Sequence, residues 1–315
     1  MYGIWDKTEM LNLTFYSIKE IVRFGVPMFL MITGMLTLNK TIDLNIFLKK
    51  KFVRIVYPLI FFLIVGALLK IYNMDSFFTT YWYCWMIIAI YLAIPIINKF
   101  VSNASMKEIE YFLALFIITS LIYTICLTQK VKIALDLNFF IGPASYLILG
   151  YYLSKKDFKL SPNKLVLINL LIFIGITLYK IYNKDFLYVD QNFVVYSLLN
   201  LSIPQIIQCA SLFLLFRYLY ESVSGISGKI RNVLENKYIN GFILSVSRAS
   251  YGIYLFHMLI LRGLIEPYFK HASTMTGFTT LVVGFAIGFA LLVVSWIAIL
   301  ILGKIPVINK VSGYA

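Results

Sequence analysis

The sequence predicts an all-α fold, a polytopic transmembrane helical bundle with about nine spans. Hydrophobic residues make up 61% of the 315 residues and charged residues only 13%. In a soluble domain, about a quarter of all residues are charged. Charges are missing from long windows such as 55–69 and 279–303. An apolar window of about 18 residues or more is typical of a membrane-spanning helix. We expect one membrane domain over residues 1–315 rather than several domains.

The spans follow from apolar runs separated by Asn, Lys, Asp and Ser, as expected of loops at the membrane interface. Trp and Tyr gather near the ends of several runs, which is typical of interfacial anchors. The predicted limits are 22–39, 53–71, 81–98, 109–128, 137–153, 164–182, 194–217, 247–265 and 278–302.

The net charge of +14 is explained by loop composition. Alternate loops carry 18 of the 28 basic residues, and the loops richer in Lys and Arg face the cytoplasm. This orientation places the carboxyl terminus in the cytoplasm and Met1 outside the cell. We expect the protein in the plasma membrane. Nucleic-acid binding is disfavoured because no basic stripe alternates with aromatic residues on a soluble module.

An outside amino terminus has no signal peptide to deliver it, since Met1–Glu20 is mixed and polar. The simplest explanation is a tenth span ahead of Met1, so that this chain lacks a natural first helix. A protein whose amino terminus is genuinely outside is the alternative.

Several chemistries are disfavoured by missing motifs. Cys84, Cys126 and Cys209 have no Cys-x-x-Cys spacing, which argues against a zinc site or a disulfide framework, and we expect no metal. The sequence has no Gly-x-x-x-x-Gly-Lys, His-Glu-x-x-His or Gly-x-Ser-x-Gly. No span carries paired acids at its midplane, which disfavours a proton-coupled pump.

The basic segment Lys49–Arg54 begins the second visible span. It is either a positive-inside anchor or an anion site for the phosphates of a nucleotide-like cofactor. For Arg54, which lies deepest and one turn before Pro58, the two interpretations are balanced. For Lys49–Lys51 the residues alone favour the anchor.

Two further groups also have both a structural and a functional interpretation. Arg23 either snorkels to the outer headgroups or faces a polar cavity. The aromatic run 81–85, with Tyr91 and Pro95 further in, is either an interfacial belt or a lip on which sugar rings stack.

The segment Arg248–His257 combines an arginine, a serine, tyrosines and a histidine within a few helical turns. Ser250, Tyr254 and His257 are predicted on one helix face. Histidine is the usual general base for a hydroxyl, but seven residues correspond to about 10 Å of rise. The structural alternative is a buried histidine hydrogen-bonded to its own helix.

At these residues the chain resembles the acyltransferase 3 family of multi-span membrane O-acyltransferases. The order and spacing of five motifs over nearly the whole chain support the resemblance. The motifs are Arg23-Phe24-x-Val26-Pro27-x-Phe29 with Thr33-Gly34, Lys50-Lys51-x-x-Arg54-Ile55-x-x-Pro58, Trp82-Tyr83 with Tyr91 and Pro95, Phe139-Phe140 through Leu149-Gly150-Tyr151-Tyr152, and Ser250-Tyr251-Gly252-Ile253-Tyr254-Leu255-x-His257.

The resemblance implies ten spans in a full-length relative. It also implies transfer of an acyl group, usually acetyl, from acyl-CoA in the cytoplasm to hydroxyls of cell-surface or secreted polysaccharides. Partners would be the lipid bilayer and a glycan acceptor. Arg54, Lys50 and Lys51 would bind the cofactor, and the substrate-binding residues would be Arg23, Trp82, Tyr91, Ser250, Tyr254 and His257.

The resemblance places the family's catalytic histidine on the first helix, before Met1, so that the chain as given is expected to lack it. His257 does not match that position and is a weak candidate for the base. A transporter or flippase for polysaccharide precursors, and a membrane protein that kept the fold without the chemistry, are the alternatives.

Overall fold

A computed structural model describes residues 9–71, 74–129, 140, 142–183, 202–221, 225–265, 277–306 and 308–314. The regular elements of these ranges are helical. The α-helices are α1 (Glu9–Val22), α2 (Gly25–Thr37), α3 (Leu44–Leu68), α4 (Met74–Thr80), α5 (Trp82–Asn103), α6 (Met106–Gln129), α7 (Pro143–Lys155), α8 (Pro162–Tyr182), α9 (Ile203–Glu221), α10 (Gly225–Glu235), α11 (Lys237–Ile260) and α12 (Gly277–Leu302). A π-helical turn (Leu261–Ile265) extends α11, and a 3₁₀ turn (Ile308–Lys310) follows α12.

Eight helical stretches of the described residues are long and apolar enough to cross a membrane. They confirm the predicted polytopic all-α fold and correspond to eight of the nine predicted spans. The ninth, 137–153, overlaps α7, whose 13 residues extend for only about 20 Å; residues 137–139 and 141 lie outside the described residues. The chain is therefore a multi-pass membrane protein.

Helix ends follow from local side-chain chemistry. The Asp43 carboxylate caps α3 by accepting from the Ile46 amide at 2.9 Å, and the Asn236 side chain caps α11 by accepting from the Tyr238 amide at 3.0 Å. Pro162 begins α8, where a missing N–H costs no hydrogen bond. After α2 the chain turns at Asn39 with φ of 55°, a conformation that asparagine tolerates.

The contacts divide the chain into two compact units. Unit 1 comprises residues 1–14, 42–92 and 236–315, and unit 2 comprises residues 15–41 and 93–235. Because both units are discontinuous in the sequence, no single chain boundary separates them. One domain over 1–315 stays a prediction.

In unit 2, two glycines bring the backbones of α2 and α7 into direct contact. A Cβ added at Gly34 would overlap the backbone of Leu147, and a Cβ added at Gly150 would overlap the backbone of Met31. Small residues at helix contacts permit this close approach in membrane proteins. The α2–α7 pair is thus fixed by main-chain packing.

In unit 1, α3, α5, α11 and α12 share one buried apolar cluster. Two tyrosines, the buried Tyr81 and the half-buried Tyr251, join its helices by hydrogen bonds to backbone carbonyls. The Tyr81 hydroxyl donates to the Leu255 carbonyl at 3.1 Å, and the Tyr251 hydroxyl donates to the Ile55 carbonyl at 2.9 Å. The cluster consists of Leu59, Phe62, Phe77, Tyr81, Cys84, Ala249, Ile253, Leu255, Leu259 and Ile299.

The α2–α7 contact predicts opposite effects for two Gly→Ala substitutions. Gly34→Ala forces the helices apart, and overpacking of this kind costs about 1–3 kcal/mol. Gly175→Ala, inside α8 with nothing within 4 Å of the added Cβ, stabilises by about 0.5–1 kcal/mol through helix propensity. Thermal unfolding in detergent should show a lower midpoint for the first variant only. Equal midpoints would contradict the packing described for α2 and α7.

Candidate functional site

The start of α3 carries four cations within two turns. Lys49, Lys50 and Arg54 are exposed, whereas Lys51 is half-buried. Pro58 lies four residues after Arg54 inside the helix, and because proline has no N–H, the Arg54 carbonyl loses its helical donor. We call Lys50, Lys51 and Arg54 the basic mouth.

Aromatic faces hold Lys51 in place. Its Nζ atom lies 4.9 Å from the ring centre of Tyr91 on α5 and 5.8 Å from that of Phe47 one turn earlier on α3. The two rings meet edge to face, with centres 6.3 Å apart. A cation over a ring face is stabilised by the ring quadrupole, more strongly where water is scarce. The basic mouth is therefore joined to the aromatic face of α5.

A series of aromatic side chains continues from Tyr91 to His257. Tyr91 and Tyr83 lie on the same helix, α5, about two turns apart. The ring centres of Tyr83 and Tyr254 are 5.5 Å apart, and those of Tyr254 and His257 are 5.8 Å apart. We call Tyr91, Tyr83, Tyr254 and His257 the tyrosine row. All four residues belong to unit 1, as does the basic mouth, and the contact of Lys51 with the Tyr91 ring joins the two in one constellation.

His257 is hydrogen-bonded to its own helix. Its Nδ1 atom lies 3.0 Å from the Ile253 carbonyl oxygen. A carbonyl oxygen only accepts, so Nδ1 carries the proton and the neutral ring keeps its lone pair on Nε2. This is the geometry of the structural alternative for His257. It also orients the ring so that Nε2 can accept a proton or a hydrogen bond.

Ser250 and Trp82 contribute less to this constellation. Ser250 is exposed, and its hydroxyl donates to the Ser247 carbonyl at 2.8 Å. Its hydroxyl is thus bonded to the helix backbone, one turn before Tyr254. The Trp82 ring is half-buried, with its centre 6.2 Å from that of Tyr83 at an interplanar angle of 83°. Trp82 therefore lies beside the tyrosine row.

Arg23 belongs to unit 2, where it forms an ion pair with Glu20, one helical turn earlier on the chain. The Arg23 Nε atom donates to Glu20 Oε1 at 2.8 Å, and Lys180 Nζ of α8 lies 2.9 Å from Glu20 Oε2. The three side chains are only 2–6% exposed. The Arg23 guanidinium is thus paired with a buried carboxylate.

Two glutamines of α9 complete this buried cluster. Lys180 donates to Gln205 Oε1 at 2.6 Å and to Gln208 Oε1 at 2.9 Å. The Gln208 amide donates to the Thr177 hydroxyl at 2.9 Å and to the Glu20 carbonyl at 3.1 Å. We call Glu20, Arg23, Lys180, Gln205 and Gln208 the charged cluster.

Sequence reasoning missed most of the charged cluster because Glu20 and Lys180 fall at the ends of apolar runs and resemble loop charges. Two signals were present. Glu20 and Arg23 are three residues apart, as are Gln205 and Gln208, and residues at this spacing share a helix face. Two glutamines on one face of a membrane helix indicate a polar partner.

The described residues thus combine helices long and apolar enough to span a membrane with a basic mouth beside the tyrosine row. The family model described as acyltransferase domain, that of the acyltransferase 3 family, matches residues 1–300. The chain therefore belongs to the acyltransferase 3 family and is a membrane acyltransferase, which confirms the resemblance. No curated protein and no solved structure matches the chain.

The charged cluster predicts unequal costs for removing its members. Glu20→Gln leaves two buried cations without their shared carboxylate, and breaking a buried ion pair costs about 3–5 kcal/mol. Lys180→Met removes one cation but preserves the ion pair of Glu20 with Arg23, so this variant should lose less stability. Thermal unfolding in detergent should rank Glu20→Gln as the less stable variant.

The matched control is Glu235→Gln, which breaks the exposed pair with Arg231. Exposed pairs contribute about 0–1 kcal/mol, so this variant should unfold close to wild type. A Glu20→Gln variant as stable as Glu235→Gln would show that the charged cluster does not stabilise unit 2.

Proposed function

We propose that this acyltransferase moves an acyl group, in the simplest case acetyl, from acyl-CoA to a hydroxyl of a cell-surface or secreted polysaccharide. It would act in the plasma membrane with its carboxyl terminus in the cytoplasm. The observation that carries the proposal is the constellation of unit 1, in which Lys51 of the basic mouth packs on Tyr91 of the tyrosine row. A polyanionic donor would meet cations at one end of this constellation, and a hydroxyl acceptor would meet His257 at the other.

The basic mouth suits the phosphates of coenzyme A. A guanidinium binds a phosphate through two parallel hydrogen bonds, whereas an ammonium acts as a point charge. Arg54 and Lys50 are exposed and available to a ligand. Lys51 is held by aromatic faces and would add charge from a fixed position. These residues would bind the nucleotide end of the donor and leave its thioester free to extend along the tyrosine row.

The far end of the tyrosine row suits a hydroxyl acceptor. His257 Nε2 would accept a hydrogen bond from the acceptor hydroxyl, Tyr254 and Trp82 would offer aromatic surface for a sugar ring, and Tyr91 would contact substrate at the donor end of the row. In the transfer, the acceptor oxygen would attack the thioester carbonyl as its proton passes to His257 Nε2, the carbon–sulfur bond would break, and the proton would then pass to the coenzyme A thiolate, which leaves as the thiol. Positioning both reactants in one constellation lowers the barrier by removing their translational freedom.

Donor recognition by the basic mouth predicts a phosphate-specific defect. Arg54→Gln should lower kcat/KM for acetyl-CoA by about tenfold or more, since a charge-assisted hydrogen bond contributes about 1.5–3 kcal/mol. The same variant should leave transfer from acetyl-pantetheine, which lacks the phosphates, nearly unchanged. The measurement is acetyl transfer to polysaccharide in membranes with each donor.

Lys49→Gln is the control for this comparison, because Lys49 lies in the same basic segment but outside the basic mouth. It should keep the preference of the wild type for acetyl-CoA. Equal losses with both donors in Arg54→Gln would contradict a phosphate-binding role.

The acceptor role of His257 predicts a defect in turnover. His257→Ala removes Nε2, the atom that would accept the hydroxyl proton, and should lower kcat for transfer to polysaccharide by about 10²-fold. Binding of acetyl-CoA, measured by equilibrium titration of purified protein, should stay unchanged. A variant with normal kcat would leave His257 a structural residue of α11.

A further inference from the structure

The last described residues of the chain fold back onto unit 1. After α12 the chain turns, forms the 3₁₀ turn Ile308–Lys310, and ends against α11. Ser312 and Gly313 are buried, with Ser312 at 0% exposure, and the Tyr314 ring packs on the apolar cluster of unit 1. We call residues 308–314 the carboxyl-terminal strap.

The carboxyl-terminal strap meets α11 backbone to backbone. The Gly252 amide donates to the Gly313 carbonyl at 3.3 Å. A Cβ at Gly252 would lie 2.5 Å from the Ser312 carbonyl oxygen, and a Cβ at Gly313 would lie 2.8 Å from the Gly252 Cα atom. Gly313 also has φ of +76°, which glycine adopts without strain. Both positions therefore require glycine for the contact.

The Gly252–Gly313 contact lies next to a hydrogen bond that connects α11 to α3 beside the basic mouth. Tyr251 precedes Gly252, and its hydroxyl donates to the Ile55 carbonyl, next to Arg54, at 2.9 Å. The backbone of the 3₁₀ turn of the strap also lies near that of α3. Because Pro58 removes the helical donor to the Arg54 carbonyl, the Tyr251 hydrogen bond from α11 reaches α3 at a point where its own helical hydrogen bonding is reduced.

We infer that the carboxyl-terminal strap, through Gly313, Gly252 and Tyr251, is a positioning element that fixes Arg54 of α3 relative to Tyr254 and His257 of α11. It sets the distance between the phosphate-binding end of the donor site and the acceptor end. This inference rests on the proposed function, because the basic mouth is where the donor phosphates would bind.

The test compares Gly313→Ala with Tyr251→Phe in acetyl transfer from acetyl-CoA and from acetyl-pantetheine. Each variant should lower the kcat/KM preference for acetyl-CoA about fivefold, because the strap acts through Arg54 and its phosphate contact. Loss of fold alone would reduce transfer from both donors equally. Gly288→Ala of α12, with nothing within 4 Å of the added Cβ, should keep the wild-type preference.

The double variant Gly313→Ala/Tyr251→Phe extends the test. If the strap acts through Tyr251, the double variant should lose no more preference than either single variant, since residues of one network are not additive. Full additivity of the two losses would overturn the pathway from the strap to Arg54.

Failure of the inference can be separated from failure of the proposed function. A wild-type protein with no preference for acetyl-CoA, unaffected by Arg54→Gln, refutes the proposed function. If both strap variants keep the wild-type preference for acetyl-CoA while Arg54→Gln loses it, the positioning role of the strap is refuted and the proposed function stands.

Amide hydrogen exchange measures the same coupling without activity. Gly313→Ala should raise exchange over residues 50–58 of α3 severalfold relative to wild type and to Gly288→Ala. Unchanged exchange over residues 50–58 in Gly313→Ala would overturn the inference even in a protein that transfers no acyl group.

Discussion

The cost of a charge in hydrocarbon is the constraint on which the rest of this structure depends. An ionised side chain there needs an opposite charge, several hydrogen bonds or a route to water. Unit 2 meets the requirement internally, since Glu20 binds both Arg23 and Lys180 and the α9 glutamines bind Lys180. Unit 1 places the cations of the basic mouth near a helix start, where Lys51 lies over aromatic rings and Arg54 is exposed. The first arrangement stabilises the fold, and the second leaves charge available to a ligand.

Close backbone contacts through glycine are found in both units. Gly34 and Gly150 bring α2 against α7 in unit 2. Gly252 and Gly313 bring the carboxyl-terminal strap against α11 in unit 1. Between helices in lipid, van der Waals packing replaces the hydrophobic driving force available in water. Glycine therefore permits the close backbone approach at these two contacts.

The sequence was sufficient for the fold class and for most spans, because long apolar runs are a strong signal. It also identified Lys51, Tyr91, Tyr254 and His257 as candidates, since aromatic and ionisable residues are conspicuous in such runs. Their pairing could not be predicted, because the contact of Lys51 with Tyr91 joins helices about 40 residues apart in sequence. Arg23 was recognised, but its partner Glu20 was interpreted as a loop residue. The strap contact has no side-chain signature, because it joins two backbones.

The central claim is that one constellation in unit 1 binds the donor from the basic mouth to His257. A photoreactive acyl-CoA, with a diazirine on its acyl chain, tests it directly when the labelled peptides are identified by mass spectrometry. The account predicts labelling around Tyr83, Tyr254 and His257 that excess CoA prevents and that Arg54→Gln weakens. Labelling confined to unit 2, or labelling that CoA does not reduce, would contradict it.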